Sequence, residues 1–164
     1  MPKNFRLSFA LATLTLVSSL GVASKASADT ATVTISEDVP AACLFDDSTN
    51  TSGALGYNIA TKTLDTASGT GSPTTGSISV LCNAAGSISI TAVTPSIPAT
   101  MTQSSLTATI SDGTNTATHN GTTSSGTITL ASGAEQINVA LNVQYDEILA
   151  PGNYSYAIEL TANP

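Results

Sequence analysis

From residue 31 onward the chain is written in twos. Ala31, Val33 and Ile35 alternate with Thr32, Thr34 and Ser36, the period of a strand with one buried face. Glu37-Asp38 interrupt this run, and Val39-Pro40 set a break ahead of Cys43. The first strand has no evident neighbour in sequence, and an exposed edge of this kind invites pairing with another chain. Further on, Leu55–Ala60 reads as a short strand, and Gly76–Cys82 places Ile78, Val80 and Cys82 on one face. Ser87–Val93 buries Ile88 and Ile90, and Pro95 and Pro98 are expected to end it. Leu106, Ala108 and Ile110 lead to Asp112-Gly113, a dipeptide suited to a tight hairpin turn, with a return strand over Thr114–His119. Ile128 and Leu130 mark a short strand, and Ile137, Val139, Leu141, Val143 and Tyr145 form the longest alternation. After Ala150-Pro151-Gly152, Tyr154, Tyr156, Ile158 and Leu160 share one face of a last strand. Asp46–Gly53, Thr61–Thr75 and Asn120–Gly126 read as polar loops. No stretch beyond residue 28 has a helical period. The expected fold class is all-β, a two-sheet sandwich.

The first 28 residues follow a different pattern. Lys3 and Arg6 precede a mostly apolar run from Leu7 to Val22, and Ala26-Ser27-Ala28 fits a small-residue cleavage site. At about 16 residues the run falls short of the ~20 needed to span a bilayer. It is expected to be a signal peptide removed before Asp29. The expected organisation is therefore a leader over 1–28, an N-terminal arm over 29–37 and one domain over 38–164.

Removal of the leader changes the charge. Lys3, Arg6 and Lys25 leave with it, so Lys62 alone faces eleven acidic residues, one positive charge against eleven negative, a net charge of −10. A nucleic-acid backbone is neutralised by Lys and Arg, so nucleic-acid binding is not expected. Anionic membrane surfaces are disfavoured for the same reason, and no stable membrane insertion is expected.

Export also governs the cysteines. Two of them in an oxidising compartment are read as one structural disulfide, Cys43–Cys82. The loop of 40 residues that it closes corresponds to roughly 4 kcal/mol in the chain-entropy account. Little else carries chemistry. His119 is the single histidine, there is no tryptophan, and Ser and Asp are too frequent for their presence to define a triad. Asp46-Asp47 and Asp146-Glu147 read as solvated loop charges. No catalytic residue, cofactor or metal site is expected, and the chain is not read as an enzyme.

Several stretches, taken in order, resemble a known family: the alternating arm, the first cysteine, the GSISVLC strand with the second, the SISITAV strand and the terminal PGNYSYAIEL. Together they are similar to the spore coat protein U family, which includes subunits of archaic chaperone–usher pili. VPAAC is also similar to the start of type 1-like pilins. The resemblance implies an incomplete, immunoglobulin-like (pilin-type) β-sandwich whose missing strand leaves a groove. A periplasmic chaperone fills that groove first, and the arm of the next subunit then replaces it at an outer-membrane usher. In this chain the inserting residues are then Ala31, Val33 and Ile35, and Tyr154, Tyr156, Ile158 and Leu160 form one groove wall. The implied protein is a secreted structural subunit of a cell-surface fibre or coat, exported through the periplasm, with identical or related subunits as partners.

A monomeric secreted binding module of adhesin type, with the arm folded back into its own sheet, is the alternative. The break at Glu37–Pro40 separates the two, since there the arm either runs on from Cys43 or turns back. Four tyrosines and no tryptophan are little material for an aromatic-lined receptor pocket.

Overall fold

The alternation becomes two antiparallel sheets facing each other as a β-sandwich in the computed structural model, which describes residues 32–164. The larger sheet has eight strands. Its spine is β1 (Cys43–Thr51), β4 (Gly76–Cys82), β10 (Gly133–Tyr145), β6 (Gln103–Ser111), β7 (Thr116–His119) and β8 (Ser124–Ser125), in that spatial order. β3 (Thr63–Asp65) pairs with β10, and β2 (Gly56–Asn58) pairs with β3. The smaller sheet is β11 (Ser155–Asn163), β5 (Gly86–Ser96) and β9 (Ile128–Leu130). No helix occurs among the described residues.

β10 is the strand around which the larger sheet is built. It has the longest run of alternating apolar residues, long enough to serve two neighbours along one edge. β4 pairs with it over Gly133–Val139 and β3 over Asn142–Gln144, while β6 covers the other edge. The inward positions of both sheets meet as a core in which Val80, Ile88, Ile90, Ile110, Ile128, Leu130, Ile137, Val143 and Tyr145 are each under 2% exposed. Each such aliphatic side chain contributes about 1.5–3 kcal/mol relative to exposure. Cys43 and Cys82 stand opposite each other in the β1–β4 register and are bonded, with Cys82 facing the core.

Several local expectations are corrected. Asp46–Gly53 is not a free loop, because β1 continues to Thr51. The register passes from Asp46↔Ser79 to Thr51↔Ser77, so Asp47–Asn50 bulge out opposite Ile78. The bulge is held by Asp46, whose Oδ1 accepts from Ser48 N and Oγ and whose carbonyl accepts from Thr49 Oγ1. An edge strand tolerates such a bulge because, among the described residues, no partner lies on its other side. Within Thr61–Thr75, β3 forms where Leu64 pairs with Val143 and is buried, and three residues are too few to show a period. β8 likewise forms inside Asn120–Gly126. Pro95 lies within β5 and does not end it. Among the described residues β9 borders β5 only over Gly86–Ile88, so one edge of β5 is unpaired near Pro95, where a proline is tolerated. The hairpin loop at Asp112-Gly113 is wider than two residues and runs to Asn115. Asp112 Oδ1 accepts from Thr114 N and Asn115 N, and Gly113 takes a φ of 93°.

Asp38–Pro164 forms one unit. Of the segment before it, the described residues are 32–37, which carry no strand and are exposed. The expected leader and Ala31 lie outside the described residues.

Candidate functional site

Among the described residues β11 is an edge strand: it pairs with β5 and with no strand on its other side. β1 is an edge of the larger sheet. A groove of about 770 Å³ borders both strands. Tyr154, Tyr156, Ile158 and Leu160 all line it, at alternating positions on β11 and just ahead of it. The larger sheet and its loops contribute Phe45, Leu55, Ile78, Val139 and Leu141.

The burial pattern shows how this groove differs from the rest of the interior. Inward residues on β5 and β9 are fully covered: Ile88, Ile128 and Leu130 are each 0% exposed. The groove residues Phe45, Leu55, Ile78, Val139, Tyr156, Ile158 and Leu160 pack against the same core but are only partly buried. Val139 is the one member of the β10 alternation left partly exposed, and it is a groove residue. Among the described residues the sandwich is therefore open along one side, where apolar side chains have a floor and walls but no cover.

The tyrosines turn their polar ends away from solvent. The Tyr145 and Tyr156 hydroxyls hydrogen-bond to each other, and Gln103 Nε2 donates to the Tyr156 hydroxyl at 2.7 Å. Tyr154 donates to the Ala150 carbonyl at 2.8 Å, and its ring meets that of Tyr145 edge-on, 5.8 Å between centroids. Burial, reinforced by the hydrogen bond to Tyr145, holds the Tyr156 hydroxyl protonated far above the ordinary tyrosine range. Burial and the neighbouring Tyr145 raise Tyr154 as well. With these hydroxyls satisfied, the rings offer apolar faces to the groove. Among the described residues Asp47 is the one charged group lining it, alongside the polar Asn50, Thr51, Ser52, Thr66, Ser77 and Ser155, so the site suits an extended occupant with one apolar face.

Of the inserting residues expected from sequence, Val33 and Ile35 are 83% and 94% exposed. His119 is buried, and its Nδ1 accepts from Gly121 N at 2.9 Å, which ties it to the turn after β7. Among the described residues, no three His, Cys, Asp or Glu side chains are grouped to hold a metal.

The opposite side of the groove was not legible in the sequence. Ile78 and Val139 read as ordinary core, and Phe45 and Leu55 flank what looked like a loop. Only the sheet order, which sets β1 and β4 across from β11, brings them to one site. Comparison with protein-family models, curated proteins and solved structures returned no match.

Proposed function

We propose that this chain is a secreted structural subunit of a cell-surface fibre or coat, and that it polymerises by inserting its N-terminal arm into the groove of a neighbouring copy. The observation that carries this reading is the apolar groove beside the unpaired edge of β11. An unpaired edge offers a row of backbone donors and acceptors, and alternating apolar side chains beside it offer places for every second residue of an incoming strand. The arm has the matching form: Ala31, Val33 and Ile35 recur at every second position. Burying Val33 and Ile35 contributes about 1.5–3 kcal/mol each, before the main-chain bonds are counted. On this reading the domain is an immunoglobulin-like, pilin-type sandwich lacking one strand. Its apolar groove is shielded during export by a periplasmic chaperone, and subunits are passed to an outer-membrane usher.

Deleting Asp29–Ser36 tests the proposal. The domain should stay folded, since its disulfide and core lie beyond Pro40, and polymerisation should stop. Size-exclusion chromatography with light scattering reads assembly, and thermal melting reads the fold. An intact chain that never polymerises, combined with a monomer that melts much earlier without its arm, would establish the self-contained binding module instead.

A further inference from the structure

The root of the arm is held by a side chain that no strand pattern reveals. β1 and β4 pair as far as Cys43↔Cys82, and Asn83 carries the pairing beyond that point. Its Oδ1 accepts from Ala42 N at 2.8 Å, and its Nδ2 donates to the Pro40 carbonyl at 2.8 Å. Its backbone N donates to the Ala42 carbonyl at 3.0 Å. The carboxamide thus replaces the next rung of the ladder and keeps Pro40–Ala42 in the line of β1. Pro40 has a fixed φ, and Val39, preceding a proline, is confined to extended conformations. Val39–Cys43 is therefore a stiff stalk.

The place of this stalk relative to the groove gives it a consequence. Every groove residue on β1 lies after Cys43, from Phe45 on, and every one on β11 lies before Asn163, from Leu160 back. Around Gly86, Cys43 Sγ packs near Asn163 O and Pro164 Cα, so the stalk begins at the C-terminal end of β11. Chain continuing in the line of β1 through Ala42 and Pro40 leaves the groove behind. To fill its own groove it must reverse direction, and the stalk prevents that reversal between Val39 and Cys43.

We infer that Asn83, together with Pro40, is a positioning residue that directs the arm into a second copy of the chain rather than into its own groove. This rests on the proposed strand insertion. It adds a determinant of where the arm goes, separate from the groove that receives it.

Disulfide trapping between Val33→Cys and Ile158→Cys separates the two levels. With Asn83 in place, cross-links should join different chains and give a ladder on a non-reducing gel. With Asn83→Ala, total cross-linking should hold while the share of internally linked monomer rises about five- to tenfold, as expected for losing one or two exposed hydrogen bonds. Pro40→Gly should shift the partition the same way without touching Asn83. An unchanged ratio of ladder to internally linked monomer in both variants overturns the inference and leaves strand insertion standing. Lower total cross-linking at constant ratio marks Asn83 as merely structural and also overturns it. No cross-link in any background removes the groove reading and this inference with it.

Discussion

Ile158 lies in the middle of the β11 wall, between Tyr156 and Leu160, and is partly buried. That intermediate state makes it a sharp probe. In the free domain, Ile158→Asp keeps access to water, and the fold should survive. In an assembly the carboxylate enters an apolar site without a counter-charge, at a cost of about 3 kcal/mol or more, over a hundredfold in affinity. Pull-down of wild-type chain or electron microscopy of fibres reads the loss, and assembly at the wild-type level would count against strand docking there. Tyr156 reports on the same wall through pH. Its folded-state pKa is raised by burial and by the Tyr145 hydroxyl, so the folded state holds this proton more tightly than the unfolded chain. Stability from that preference is complete below the ordinary tyrosine pKa of about 10 and is lost as pH rises above it. Tyr156→Phe should therefore flatten the fall in urea midpoint between about pH 8 and pH 11. An equally steep fall in the variant would place the alkaline sensitivity elsewhere.

β1 is the element whose stability most depends on a covalent tie. Among the described residues it pairs on one side only, it bulges at Asp47–Asn50, and most of its residues are exposed. The Cys43–Cys82 bond fastens it to β4 across a sequence separation of 39 residues. Reduction should lower stability by roughly 4 kcal/mol in the chain-entropy account, visible as a lower denaturant midpoint. β1 also forms part of the groove, so under the proposed strand insertion reduced chain should lose arm binding before the core unfolds. A midpoint unmoved by reductant would show that β1 is held by its pairing alone. Elements differ in how legible they were for a simple reason. β4, β6, β10 and β11 are long enough to show several alternations, whereas β3 and β8 have three and two residues and exist because a neighbour pairs with them.

At the scale of the molecule, the two sheets are unequal. Eight strands face three, and the open side lies where the smaller sheet ends at β11. A closed sandwich of the same strands would cover Ile78, Val139, Ile158 and Leu160 as completely as it covers Ile88 and Ile137. Charge acts over the same range. Beyond residue 28 the chain carries one basic residue against eleven acidic ones, which favours solubility while an apolar groove is exposed. It also makes copies of the chain repel at a distance, so the proposed assembly must draw on short-range burial and main-chain pairing.

The sequence by itself determined the fold class, most of the long strands and their buried faces, and one disulfide. Those features depend on local period and on cysteine count, which the chain states directly. It also marked β11 and the arm as alternating segments, because alternation needs no knowledge of neighbours. A groove beside Tyr154–Leu160 was implied by the resemblance and not by the period; tertiary structure alone decided that Phe45, Leu55, Ile78 and Val139 lie across from that face, and that Asn83 clamps Pro40 and Ala42. These are consequences of strand order and register. A residue's period shows that it has an inner face, but only its neighbours across the sheet and across the sandwich determine whether that face is covered.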